Sequence, residues 1–407
     1  MAEEPTKRVR RGRTPAPAGR TGRPRQAEVA RLAGVSQATV SLVLGGKKQG
    51  AAISDETRRN VLDAAGRLGY VPDPAARRLA AARNDLLGVF SFTATFPTDV
   101  QHSYYPFLVG VEREAAARGY DLVLFTGSSS GGAGASAPRA LSRARLADGC
   151  LLLGRHAPVE ELRRLVDDGF PVVHLGRRDE PEGLAWVGAD YVSASREVVQ
   201  QLASLGHRRV VLVREDDEAP ASTDREQGFL EGLRAAGLPE GPDVVFRSAD
   251  PARTLTPERL RQWLAEGVTA FVAEETDSGA AWRSLTTAAR EAGLDCPRDL
   301  SLALLGSPPP DLADAPEPTG FDIPRAQLGA EAVRLLATLV AGDDLPEPRA
   351  DLPEPRADLP EPGADLPEQL VTLVACAYRP GATTGAPPGP LAPARPHSTT
   401  RTAQGEL

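Results

Sequence analysis

The chain has 407 residues, 41% of them hydrophobic and 25% charged, with a formal net charge of −8. That length exceeds one ordinary core, so two or three domains are expected, and apolar runs no longer than a strand exclude a membrane-spanning helix. Cys150, Cys296 and Cys376 are far apart and odd in number, which excludes a disulfide framework and a cysteine metal cluster.

Charge is unevenly spread. Residues 1–83 carry 17 Lys/Arg against 7 Asp/Glu, and the remainder carries 30 against 48. A basic end on an acidic body favours nucleic acid at that end and repels it from the rest. Residues 1–23, rich in Arg, Pro and Gly, cannot bury a core and are expected to form a disordered arm. Two readings of the arm stay open: added phosphate attraction, or a solubilising tail. The N-terminus lacks the apolar stretch of a secretory signal, so a cytoplasmic protein without a membrane partner is expected.

The spacing of Ala30 and Ala33, and of Val40, Val43 and Leu44, predicts two short helices within Gln26 to Leu44. Gly34 suits a left-handed helix end and Ser36 suits an N-cap. Two helices joined in this way form a helix-turn-helix, whose second helix fits a DNA major groove. An ordinary helical hairpin has the same local signals. Ser54 caps a third helix, with Val61, Leu62, Ala65 and Leu68 on one face, closing a headpiece over 24–70. Pro72 and Pro74 stop it, and a linker segment, AARRLAAAR, follows within 71–84.

From Leu86 strands and helices alternate. The apolar runs LLGVFSF, YDLVLFT, GCLLLG, PVVHLG and AWVGAD, then RRVVLV, DVVF, TAFVA and LSLALL, read as buried parallel strands. Helices are expected near 104–118, 138–147, 158–168, 191–205, 225–237, 257–265 and 278–292. The fold class is therefore an all-α headpiece followed by an α/β bilobed body of two doubly wound parallel sheets, spanning 85–380. Lobe 1 takes about 85–190 plus 321–342, and lobe 2 about 191–320 plus 370–378. The chain crosses between them near 188–191, near 306–322 and again before the final strand. Ligands in such folds sit at the carboxyl ends of strands, where Arg177 follows PVVHLG with a fork of donors suited to a hydroxyl pair or a carboxylate.

Pro324 starts a last long helix. DLPEPRA then repeats from residue 344 through 368, and its prolines forbid helix. It reads as an exposed extended insert, by slippage of a coding repeat or as a partner-binding segment. Residues 381–407 are expected to be a disordered tail.

AEVARLAGVSQATVSLVLGGK (27–47) and ISDETRRNVLDAAGRLGYVPDPAARRLA (53–80) resemble, without a gap, the amino-terminal headpiece of the LacI/GalR family of bacterial repressors. Weaker resemblance runs from Leu86 to about Pro380, where the family shares the periplasmic-binding-protein type of bilobed sensor. The resemblance implies base contacts from Gln37, Ala38 and Leu42, phosphate contacts from Ser36 and Thr39, and a backbone contact from Lys47. Gln37 can pair with adenine and Ala38 can touch a thymine methyl. It also implies a hinge helix in which Leu79 enters the minor groove while Arg77 and Arg78 face phosphate. Effector-contacting positions by resemblance are Arg225, Asp277 and Tyr104, with Tyr105 as neighbour.

Four departures stand out. Leu42 replaces a common Arg, Arg25-Gln26 replaces a Thr cap and apolar pair, EETD replaces an Asn-Asp loop, and Gly306-Ser307-Pro308-Pro309-Pro310 replaces Gly-Phe-Asp-Asp.

The expected function is a transcriptional regulator, a repressor, binding double-stranded operator DNA as a homodimer under control of a small-molecule effector, a carbohydrate. A solute-binding module without DNA function is the alternative. No GxxxxGK[ST], GxSxG or HExxH is present, and His156, His174 and His207 are isolated. No enzyme, metal or cofactor is expected.

Overall fold

The computed structural model describes residues 24–44, 53–70, 84–92, 104–125, 141–155, 158–309, 316–342 and 370–388. They divide into two compact units, separated between Asn84 and Asp85.

The first unit holds α1 (Gln26–Ala33), α2 (Gln37–Leu44) and α3 (Asp55–Leu68). Gly34 ends α1 at φ 69°, a conformation cheap for glycine, and its N–H donates to the Ala30 carbonyl. Ser36 starts α2 by accepting the Thr39 N–H at 3.1 Å, and Ser54 starts α3 by accepting that of Thr57 at 3.2 Å. Arg25 precedes α1 without a side-chain cap, so the missing Thr goes unreplaced. Val29, Ala30, Val40, Val43, Val61, Ala64 and Ala65 form the core. Leu62, expected on the buried face, is 51% exposed and Ala64 is buried instead; the buried stripe of α3 runs Val61, Ala64, Ala65 and Leu68, at i, i+3, i+4 and i+7, and Leu62 falls off it.

The second unit contains β1 (Leu86–Ser91), β2 (Asp121–Phe125), β3 (Gly149–Leu153), β4 (Val172–Leu175), β5 (Ala185–Ala189) and β6 (Val210–Glu215). These are followed by β7 (Val245–Ser248), β8 (Ala270–Glu274), β9 (Ser301–Leu305), β10 (Thr319–Asp322), β11 (Val371–Val374) and β12 (Ala377–Arg379). Its helices are α4 (Tyr105–Ala117), α5 (Val159–Asp167), α6 (Tyr191–Ser204), α7 (Pro220–Ala235), α8 (Pro251–Thr254), α9 (Pro257–Ala265), α10 (Ala280–Ala292) and α11 (Arg325–Ala341).

Two six-stranded sheets result, one in the order β11-β5-β4-β3-β1-β2 and the other β12-β10-β9-β8-β6-β7. Every pairing is parallel except β10 with β12. β3, β4, β5, β8 and β9 are buried along their whole length, which is why they read as unbroken apolar runs. In lobe 1, α4 and α11 pack so closely that a Cβ on Gly110 would lie 1.8 Å from the Ala326 carbonyl oxygen, and one on Gly329 2.2 Å from that of Phe107.

The sequence expectations need several corrections. Residues 370–378 do not belong to lobe 2 as one strand: β11 pairs with β5 in lobe 1, and only β12 joins lobe 2. The third crossing therefore falls at Ala375–Cys376. β10 lies in lobe 2 as far as Asp322, so the second crossing is complete only at Ile323–Pro324. Of the helix expected over 138–147, residues 138–140 lie outside the described residues; Leu141 is helical, and Ser142–Leu146 continues it as a 3-10 turn. α7 begins five residues earlier than expected, with Pro220 in its first turn. Residues 381–388, expected to be disordered, are built into lobe 2 by backbone bonds: the Thr383 carbonyl accepts the Leu302 N–H at 2.8 Å, and the Gly385 N–H donates to the Ser301 hydroxyl at 3.0 Å while its carbonyl lies 3.0 Å from His207 Nε2.

Candidate DNA-binding face and interlobe cleft

On the headpiece, the buried side of α2 is Val40 and Val43. The 3.6-residue period therefore turns Gln37, Ala38, Ser41 and Leu42 outward together, and Ser36 is also exposed. The Thr39 hydroxyl lies 2.9 Å from that of Ser36. This face offers one amide, two small hydroxyls, a methyl and an isobutyl group, a set able to read base edges and methyls in a major groove. Lys47, Arg77, Arg78 and Leu79 lie outside the described residues.

In the body, parallel strands deliver their carboxyl ends to the same edge of each sheet. Arg155 comes two residues after β3, Arg177 two after β4, Asp217 two after β6, and Glu274 ends β8. These side chains meet between the lobes. Arg155 donates to Asp217 Oδ2 through Nη2 at 2.6 Å and Nε at 3.1 Å, and to the Ser222 hydroxyl at 2.8 Å. Ser222 in turn donates to Glu274 Oε1. Arg177 reaches Asp224 on α7, Nη2 to Oδ1 at 2.7 Å and Nε to Oδ2 at 3.0 Å. Two arginines of lobe 1 thus hold carboxylates of lobe 2.

The lobe 1 wall is braced from behind. Nδ1 of buried His174 lies 2.9 Å from the Gly176 carbonyl oxygen, to which it donates, and Nε2 accepts from Arg178 Nε at 3.2 Å. Arg178 also donates to the carbonyls of Gly154 and Arg155 at 2.6 and 2.7 Å. Burial and the adjacent Arg178 charge push the imidazole down to about 3, so it stays neutral.

On lobe 2, Glu274 is 1% exposed. Its Oε2 has no hydrogen-bond partner among the described residues, and burial raises its carboxyl above the ordinary value despite the pull of Arg225 and Arg155. Burial likewise raises Asp224, against the opposing pull of Arg177. Arg225 is buried within lobe 2: Nε donates to the Leu305 carbonyl at 2.9 Å, Nη1 to that of Ala221 at 2.9 Å, and Nη2 lies 3.4 Å from Glu275. Its guanidinium stands 3.9 Å from the Tyr191 ring centre, and Glu275 also pairs with Arg325 at the start of α11. Tyr191 follows the first crossing and packs against Phe321, just before the second. Arg225, Glu275, Tyr191 and Arg325 therefore lie where the chain passes between lobes.

Of the residues singled out from sequence, Arg177 stands on the cleft wall and Arg225 at the crossing. Asp277 is exposed, near enough to Arg155 and Arg325 for its charge to raise both. Tyr104 lies near Arg178, while Tyr105 is exposed on the first turn of α4. Sequence reasoning missed Arg155, Asp217, Asp224, Glu274 and Glu275. Their signal was position within two residues of a strand end, or one turn into the helix that follows. Among the described residues no His, Cys, Asp or Glu cluster is suited to a metal ion.

A helix-turn-helix with an exposed polar second helix, carried on a chain with two doubly wound lobes, defines the class of ligand-sensing DNA-binding proteins. Residues 27–73 match the bacterial regulatory proteins of the lacI family, and residues 199–357 match a periplasmic binding protein-like domain. The HTH-type transcriptional regulator CelR of Thermobifida fusca is 31% identical over 332 residues, covering 80% of this chain and 94% of that protein. A solved CelR–cellobiose complex is 25% identical, with TM-score 0.52, covering 89% of this chain and all of the other. The lac repressor dimer bound to operator and an anti-inducer shares the fold at TM-score 0.61 and 20% identity, over 88% of this chain and 98% of that one. The chain belongs to the lacI family of bacterial regulatory proteins. It is a DNA-binding transcriptional regulator.

Proposed function

We propose that the protein is a repressor whose operator affinity is set by a carbohydrate held between its lobes. The observation that carries this reading is the cleft itself. Arg155–Asp217 and Arg177–Asp224 join the walls, and a buried carboxylate oxygen of Glu274 has no hydrogen-bond partner among the described residues. A polyol supplies hydroxyls that donate to Glu274 and accept from the arginines, so it can replace protein–protein bonds by protein–ligand bonds. The solved complex of the relative CelR with cellobiose supports a sugar as the ligand class.

In this reading Ser36, Gln37, Ala38, Thr39 and Leu42, with Lys47, contact the operator. Leu79 wedges the minor groove, flanked by Arg77 and Arg78. Two copies pair so that symmetric half-sites are read together. The protein works in the cytoplasm and catalyses nothing. Ligand and DNA are linked because each favours a different lobe arrangement.

The test is retardation of DNA from upstream of the protein's own coding region, titrated with mono- and disaccharides. Retardation of that DNA and not of a shuffled sequence, altered by one sugar, is expected. Equal affinity for both DNAs, or indifference to every sugar together with no cleft binding by calorimetry, overturns the reading.

A further inference from the structure

β6 carries an arginine where its pattern calls for an apolar residue. Val210 and Leu212 share a core with Phe229 and Leu233 of α7, and the two-residue period of a strand puts Arg214 on that same face. Arg214 is 0% exposed. A guanidinium withdrawn from water needs an acceptor for each of its five N–H groups. All of them are met by the turn that joins β6 to α7 and by the start of that helix. Nε donates to the Glu215 carbonyl at 3.1 Å. Nη2 donates to the Asp217 carbonyl at 2.5 Å and to Glu218 Oε1 at 3.5 Å. Nη1 donates to the Ser222 carbonyl at 3.4 Å and to Glu226 Oε2 at 2.8 Å.

Two of those acceptors belong to cleft residues. The Asp217 and Ser222 carbonyls meet Arg214, while their side chains meet Arg155 of lobe 1, at 2.6 and 2.8 Å from its Nη2. Asp217 Oδ1 also takes the Ala219 N–H at 2.9 Å, so that residue is held at its carbonyl and at both carboxylate oxygens. One buried fork on lobe 2 thus fixes the two groups that a second fork, from lobe 1, must reach together. At the outer end Arg247, beside Arg214 in the β6–β7 register, shares Glu226, with Nη2 to Oε1 at 2.5 Å and Nε to Oε2 at 3.0 Å. The carboxylate offsets two neighbouring like charges and ties the buried guanidinium to an exposed one on β7.

We infer that Arg214 is the positioning residue of lobe closure. It sets the 216–222 turn so that Asp217 and Ser222 present themselves to Arg155 at once, and Glu226 with Arg247 anchors its outer end. A lysine keeps the charge but carries three donors on one nitrogen, which leaves acceptors in the turn unpaired. This role needs only the Arg155 contacts, whatever ligand enters the cleft.

Hydrogen exchange on the full chain without added ligand tests this in four proteins: wild type, Arg155→Ala, Arg214→Lys and the double variant. Arg155→Ala should speed exchange of amides in 216–223, and Arg214→Lys should do so about tenfold, with β8 and β9 still protected. The double variant should match Arg214→Lys alone, because Arg155 then has no positioned partners to lose. Factors that multiply in the double variant mark two independent losses of stability and overturn the inference. Wild-type exchange of the turn in either single variant overturns it too. Should Arg214→Lys fail to fold, Arg247→Ala takes its place, with exchange of the turn about threefold faster and a double variant with Arg155→Ala below the product. Wild-type exchange of the turn in Arg247→Ala, or a full product, then overturns it.

Discussion

Arg177, two residues beyond β4, grips Asp224 on α7 through Nε and Nη2 of its guanidinium, a bidentate pair that joins the two lobes beside Arg155–Asp217. Asp224 is buried and Arg177 is partly exposed. Asp224→Asn should therefore cost about 1–2 kcal/mol, less than for a fully buried pair. A lowered urea midpoint and an altered effector dose response should appear together, because the same bond resists both unfolding and lobe opening. An unchanged midpoint would show that the pair contributes nothing net.

Arg225 differs in kind. Its four contacts all lie within lobe 2, so Arg225→Ala leaves the Leu305 carbonyl unsatisfied and Glu275 with one cation fewer. A loss of about 2–4 kcal/mol is expected, with the response to effector abolished and operator affinity retained at low temperature. Wild-type stability accompanied by loss of response would place Arg225 in direct ligand contact alone.

Glu274→Gln keeps the shape of the side chain but replaces one acceptor oxygen by a donor. Effector affinity should fall about tenfold or more, since a buried hydroxyl then meets a donor. Titration calorimetry with a sugar that alters operator retardation reads this directly, and undiminished affinity removes Glu274 from the ligand's surroundings.

His174 makes stability depend on pH. Its folded value is about 3 against an ordinary 6.5. Between those values the unfolded chain binds the extra proton, so stability falls as pH drops below 6.5. The loss is about 1.4 kcal/mol per unit, or about 2 kcal/mol by pH 5. Denaturant midpoints at pH 7.5 and pH 5 should converge partly in His174→Gln. An identical pH dependence in both proteins would sink the assignment.

On the headpiece, Gln37→Ala should lower operator affinity by about 1–3 kcal/mol and relax selectivity at one base pair. Binding to non-specific DNA should stay the same. Equal losses on both DNAs would mean that Gln37 meets only phosphate. Ser36→Ala should act on stability as well, by about 1 kcal/mol, through loss of the cap on Thr39.

Local chemistry determined much of this protein from sequence alone. Gly34, Ser36 and Ser54 mark helix ends because left-handed backbone and N-caps are properties of single residues. Runs such as GCLLLG and TAFVA mark buried parallel strands because both of their faces must be apolar. Only the tertiary structure decided the rest. Arg177 and Asp224 are 47 positions apart, as Arg155 and Asp217 are 62 apart, and periodicity carries no record of which charges meet across a cleft. The division of VTLVACAYR between two sheets depends on which strand edge each half finds open, and the ordering of residues 381–388 depends on backbone bonds to Ser301, Leu302 and His207. Backbone groups are the same in every residue, so such bonds leave no mark in the letters that make them.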